Sequence, residues 1–179
     1  PILYNFAPIS MLMVEDNDYI SSVLFNLLKA LGVGKIIRCS NGKEAVDYLK
    51  LLTAAPNGGV VDFVLSDLMM EPLDGLSLLR WIRKHKDSPD RFMPFIMISG
   101  YVDQAFLAQS RNLGVTEFLA KPFSVNSVSR KIISVVEKPR PFILSENYFG
   151  PSRRRAKKAD YDGPERRVER EADCEVIYD

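Results

Sequence analysis

Four ionisable side chains stand directly after apolar runs, where a folded chain would collect them. Glu15 and Asp16 follow residues 9–14 (Ile-Ser-Met-Leu-Met-Val), Asp67 follows 60–66, and Lys121 comes just after 115–119. Ser99 closes a further run over 92–98. Three carboxylates brought to one place repel one another. A hard divalent cation relieves that repulsion, and an all-oxygen ligand set of this kind suits Mg2+. The lysine adds a positive charge and the serine a hydroxyl donor. A carboxylate, a magnesium ion, an ammonium and a hydroxyl are the parts needed to hold a phosphoryl group on an aspartate. The carboxylate is the nucleophile, and the rest position the group and neutralise its charge.

For these residues to meet, the runs that carry them must be neighbouring strands. Residues 9–14, 35–39, 60–66, 92–98 and 115–119 are short and mostly apolar, as buried parallel strands are. Helical spacing fills the gaps. Asn17 can cap a helix carrying Ile20, Val23, Leu24, Leu27, Leu28 and Leu31, and Gly32 stops it. Asn41-Gly42 opens a second helix, and the others are expected over 74–86, 103–113 and 124–137. Five strands alternating with five helices predict an α/β fold: a doubly wound, five-stranded parallel sheet with helices on both faces. Ligands of such sheets bind beyond the carboxyl ends of the strands, where the polar residues named above fall.

The composition excludes several other chemistries. His85 is the only histidine of 179 residues, too few for clustered-histidine zinc sites, and it lies in the basic run 83–86. Cys39 and Cys174 form no CxxC pattern, which fits a reducing compartment. There are 24 basic and 23 acidic residues, so net charge gives no reason to expect a nucleic-acid or membrane partner. No apolar stretch is long enough to span a bilayer and no signal-peptide pattern opens the chain, so a cytoplasmic location is expected.

Beyond Pro139 the composition changes. Tyr148-Phe-Gly-Pro-Ser-Arg-Arg154 is matched thirteen residues later by Tyr161-Asp-Gly-Pro-Glu-Arg-Arg167. Residues 140–158 carry six basic and one acidic residue, and 159–179 carry three basic and eight acidic. Neither half can build a core of its own, so an extended or disordered tail is expected unless it docks. Arg153, Arg154, Arg155, Arg166 and Arg167 are its candidate interaction residues. No recognition helix, zinc-binding spacing or aromatic platform accompanies them, so nucleic acid is not the expected partner.

In this order, the motifs resemble those of the response-regulator receiver family of two-component signalling. Glu15-Asp16 stands where the family has its acidic pair. Asp67-Leu-Met-Met-Glu-Pro-Leu-Asp-Gly75 looks like its phosphoacceptor loop. Ser99-Gly100, the aromatic Phe118 and Lys121-Pro122 complete the set. The resemblance covers residues 8–138 and divides the chain into a receiver domain, 1–138, and a tail, 139–179. It implies the flavodoxin-like receiver fold, with Asp67 as phosphoacceptor. Mg2+ would be held by Asp16, Asp67 and the Met69 carbonyl, with Glu15 acting directly or through water. Ser99, Gly100 and Lys121 would meet the phosphoryl group, and Phe118 would move with it.

The resemblance also implies a protein that is not an enzyme in the ordinary sense, although it catalyses its own phosphotransfer. Its donor would be a histidine kinase or a histidine phosphotransfer protein, and it would signal by protein contact without a DNA-binding output domain. The bulky Met69 and Tyr101, each two residues beyond a site residue, imply slow dephosphorylation. Whether phosphorylation makes a homodimer stays open. Two departures from the family pattern stand out: Glu71 occupies the usual proline position, with Pro72 one later, and Glu15 replaces the commoner aspartate, a tolerated change. The Glu71-Pro72 shift is the only feature favouring the alternative of a phosphorylation-independent binding module, which the intact Asp67, Ser99 and Lys121 oppose. A phosphatase with an aspartyl-phosphate intermediate ranks lower, because Met69 stands where its second acid belongs.

Overall fold

The five apolar runs pair side by side in the order β2-β1-β3-β4-β5, all parallel. They are β1 (Ser10–Val14), β2 (Lys35–Cys39), β3 (Phe63–Asp67), β4 (Phe95–Ser99) and β5 (Glu117–Ala120). Between and after them come α1 (Asp18–Ala30), α2 (Gly42–Ala54), α3 (Gly75–Lys84), α4 (Gln104–Asn112) and α5 (Val125–Glu137). The computed structural model describes residues 4–54, 59–100, 104–145 and 147–153, and the backbone alone of 175–177.

Strand side chains alternate between the two sheet faces, and two cores result. Met11, Met13, Phe63, Leu65, Ile96 and Ile98 meet α1 and α5 through Leu24, Leu28, Val128 and Ile132. Leu12, Val14, Val64, Phe95 and Met97 meet α2 and α3 through Ala45, Leu49, Leu79 and Ile82. Each fully buried leucine or isoleucine here contributes roughly 1.5–3 kcal/mol. The inner strands β1, β3 and β4 are buried on both faces, which is why their sequences read as mostly apolar runs, whereas edge strand β2 leaves Lys35 and Arg38 exposed. Side-chain caps fix the helix starts. Asn17 accepts from the Ile20 amide and Asp74 from the Ser77 amide, and Ser124 forms a reciprocal pair with Ser127.

Cys39 lies at the end of β2, where burial, with the Glu44 charge adding, pushes its thiol up to about 11. At pH 8 it is therefore almost wholly protonated. Iodoacetamide should modify Cys39 at least about tenfold more slowly in the folded than in the urea-unfolded protein, as read from the Cys39 peptide by mass.

The segment after α5 docks on the domain. Strands β6 (Phe142–Leu144), β7 (Phe149–Pro151) and β8 (Glu175–Ile177) form an antiparallel sheet in the order β7-β6-β8. Phe142 and Phe149 pack against Phe92 with ring centroids 5.2 and 5.3 Å away. This explains why the run read as starting at Phe92 pairs only from Phe95: the Phe92 ring serves the tail. Within the basic run 83–86, His85 is exposed and stacks on Trp81, while Arg83 is fully buried.

Candidate functional site

At the carboxyl ends of β1, β3 and β5 the anticipated residues converge. The Glu15 amide bonds the Cys39 carbonyl, 3.1 Å away, and so extends the line of β1. Its side chain is buried, with Oε1 accepting from the Asn17 amide at 3.2 Å and Oε2 from Lys121 Nζ at 3.0 Å. Asp67, the last residue of β3, accepts from the Leu68 amide at Oδ1 (2.8 Å) and faces Lys121 Nζ at Oδ2 (3.0 Å). Asp16 is exposed. One carboxylate oxygen from each of Glu15, Asp16 and Asp67 lies within 4.8 Å of the others.

The backbone forces this arrangement. A side chain at Gly75 would run into the Asp67 carbonyl, and the Gly75 amide bonds the Leu68 carbonyl at 3.0 Å. Only glycine therefore lets α3 start directly beneath the end of β3. At the other side of the 67–75 loop, the Leu73 carbonyl takes the Gly42 amide at 3.0 Å, where a side chain would also collide. The peptide bonds before Pro72 and before Pro122 are both cis. The Lys121 amide donates to the Ser99 carbonyl at 2.7 Å, which holds the lysine beside the end of β4.

Ser99 is buried at that end, and Gly100 after it has open space where a side chain would stand. Phe118 is half-buried on β5, at the rim of a groove shared with Arg111, Arg140 and Tyr148. The Met69 side chain is 64 % exposed rather than packed over the acids. Tyr101 lies outside the described residues, as do Arg154, Arg155, Arg166 and Arg167. Arg153 is exposed and lies along the surface of the domain, donating to Asn112 Oδ1 at 3.0 Å and covering the Tyr148 ring at 4.3 Å.

Three carboxylates and one ammonium leave two uncompensated negative charges at the cluster, which matches a divalent cation. Burial, with the Asp67 charge adding, holds the Glu15 carboxyl above its usual range despite the Lys121 pair and the Asn17 amide. Burial alone would lower the Lys121 pKa, but the bonds and charges of Asp67 and Glu15 outweigh it, and the net shift is upward. The lysine is thus firmly cationic. The all-oxygen donors, one exposed and two buried, fit a small hard cation open to solvent on one side.

The family model for the response regulator receiver domain matches residues 11–133. The chain belongs to the response regulator receiver family. The sensor kinase CckA of Brucella abortus is 35% identical over 132 residues, 72% of this chain and 13% of CckA. A probable transcriptional regulator, ycf27 of Cyanidium caldarium, is 30% identical over 72% of this chain and 46% of its own length. The chain thus spans less than half of those two relatives. Chemotaxis protein CheY-3 of Vibrio cholerae is 27% identical and covered over 92% of its length.

Solved receiver domains superpose on the same part. That of the Arabidopsis thaliana histidine kinase CKI1, complexed with Mg2+ and BeF3-, gives a TM-score of 0.65 at 27% identity, over 74% of this chain and 93% of that one. That of the Pseudomonas aeruginosa sensor histidine kinase PA1611, with a magnesium ion in its active site cleft, gives 0.61 at 26%, over 72% and 98%. Among the described residues no helix is long and apolar enough to cross a membrane.

Proposed function

We propose that this receiver domain accepts a phosphoryl group on Asp67 from a phosphohistidine of a histidine kinase or histidine phosphotransfer protein, and signals by protein contact. The observation that carries the reading is the single Lys121 ammonium bridging Glu15 and Asp67, at 3.0 Å each, inside a three-carboxylate cluster. An Asp67 oxygen attacks phosphorus, an Asp–O–P bond forms and the donor's P–N bond breaks, the electron pair leaving on the donor nitrogen. Asp16, Asp67 and the Met69 carbonyl, with Glu15 directly or through water, would hold Mg2+, which supplies charge neutralisation for the transferred group.

Lys121 follows the transferred oxygens and exchanges its carboxylate bond for a phosphoryl one. The Ser99 hydroxyl, at the end of the adjacent strand, donates to the same group. Phe118, next to that strand end, carries the change to the face of α4, β5 and α5, where a downstream protein binds or a relay partner takes the phosphoryl group.

The test is to mix the protein with Mg2+ and acetyl phosphate and read the intact mass. One phosphoryl group, dependent on Mg2+ and mapping to the Asp67 peptide, supports the reading. No adduct on the folded protein favours a binding module independent of phosphorylation. Lys121→Ala should slow uptake roughly tenfold or more, about 1.4 kcal/mol in the barrier. Its Mg2+ affinity, measured by calorimetry, should hold or rise, because a competing cation is gone. Unchanged uptake would remove Lys121 from the proposed role.

A further inference from the structure

The first Tyr-x-Gly-Pro-x-Arg-Arg copy lies against the domain through Gly150, Arg153 and the variable-position Phe149, with Tyr148 and Pro151 shaping the tail itself. Tyr148 Oη donates to the Pro151 carbonyl at 2.7 Å, closing the turn. Gly150 lies against Gly114: a side chain at 150 would come within 2.5 Å of the Gly114 Cα, and one at 114 within 2.9 Å of the Gly150 Cα. Pro151 stands opposite Phe142 in the β6–β7 ladder, and Arg153 reaches Asn112. The walls of this site are Arg83, Arg91, Phe92, Asn112, Gly114 and Phe142. They gather where β4 and β5 begin, at the opposite end of the sheet from Asp67, and the tail lies beyond the family match, which stops at residue 133.

The second copy repeats Tyr, Gly, Pro and both Arg at the same spacing, as Tyr161, Gly163, Pro164, Arg166 and Arg167. Its two differences are acidic, and each falls beside an arginine of the site. Asp162 replaces Phe149, whose ring lies under the Arg91 guanidinium at 3.6 Å. Glu165 replaces Ser152, a buried residue whose backbone carbonyl takes Arg140 Nη1 at 3.0 Å, so a carboxylate there would be drawn out of the buried position toward that guanidinium. Ladder bonds are made by backbone, so they do not distinguish the copies.

We propose that this end of the domain is a binding site for the Tyr-x-Gly-Pro-x-Arg-Arg sequence, and that Tyr161–Arg167 of the same chain is its second occupant. Asp162 gives up the ring contacts of Phe149 with Phe92 and Phe142, so the first copy holds the site at rest. The second takes it when the first is withdrawn, with ion pairs to Arg91 and Arg140 in place of ring contacts. Tyr161 follows Arg153 by only eight residues, so the intrachain event has a high effective concentration and outcompetes another molecule. The first copy is then freed for a partner while the site stays closed.

Hydrogen exchange on the full chain tests this with Gly150→Val, Gly163→Val and the double variant, β1 and β3 amides reporting an intact fold. Gly163→Val should match the parent. Gly150→Val should keep residues 112–116 protected within about threefold and newly protect 161–167, whatever the protein concentration. The double variant should exchange at least about tenfold faster at 112–116. If Gly150→Val opens the site as far as the double variant, the second copy is no occupant. If its protection rises with protein concentration, the intrachain assignment fails. A further check avoids the glycines: Phe149→Asp should leave the tail docked, and adding Arg91→Glu should release it. Release by Phe149→Asp alone would overturn the proposed ion pair.

Discussion

The Asp67→Asn protein should take up no phosphoryl group from acetyl phosphate and Mg2+ under conditions that load the parent chain. An amide oxygen is neither charged nor an adequate nucleophile, and the substitution preserves shape, so the loss is chemical rather than architectural. The cluster's charge falls from −2 to −1, because two carboxylates now face one ammonium. Lys121 still has Glu15 Oε2 at 3.0 Å, so no buried cation is stranded. The Asp67 charge is one of the influences that raise Glu15, and removing it lets that carboxyl move back toward its ordinary range. Stability should therefore hold within about 1 kcal/mol in urea titration. Mg2+ affinity should fall roughly tenfold or more, since an anionic oxygen ligand becomes neutral. An adduct that survives at full stoichiometry would place the acceptor on another side chain and sink the assignment of Asp67.

The positions of Glu15, Asp16, Asp67, Ser99 and Lys121 were legible because each interrupts an apolar run where a buried strand has to end. Both faces of the strand are covered, so the only solvent-open places for polar groups are its ends. The strand edges were less legible. Val60 reads as part of the third strand yet is 70 % exposed, and sheet pairing starts at Phe63. What stabilises the start is the Asp62 carboxylate accepting from the Ser10 amide at 2.7 Å, a contact 52 residues apart that no local pattern displays.

From the sequence Phe92 reads as strand because its true neighbours, Phe142 and Phe149, come from a tail whose composition gives it no core of its own. Arg83 was hidden by its company in a basic run. Its spacing carried the missing signal: it lies four residues after Leu79 and seven after Leu76, on the buried stripe of α3.

Arg83→Ala should cost roughly 3–5 kcal/mol of folding stability, the largest loss expected from any single side chain outside the apolar cores. The guanidinium is fully buried and makes four bonds to three carbonyls. Nε and Nη2 reach the Gly114 oxygen at 3.1 and 3.0 Å, and Nη1 reaches those of Arg91 and Met93 at 2.9 and 2.7 Å. It also lies over the Phe142 ring at 5.2 Å. One side chain thus joins the end of α3, the approach to β4, the turn before β5 and the docked tail. Burial, offset in part by the Tyr148 and Asp90 charges, lowers its pKa to about 10, so it remains charged at neutral pH. The cost of desolvation is met by the carbonyl bonds, and truncation removes all of them while leaving the acceptors in a protein interior.

Arg83→Lys should recover part of the loss, since an ammonium can serve some of these oxygens but cannot match the planar fork that spans Gly114 and Met93 together. Urea titration measures the stability. Hydrogen exchange at 142–151 in the same variants should rise ahead of exchange in β1 and β3, because the tail loses its stacking partner while the sheet does not. A stability loss below about 1 kcal/mol for Arg83→Ala would mean that water replaces the guanidinium at all three carbonyls, and that the tail is held by its aromatic residues alone.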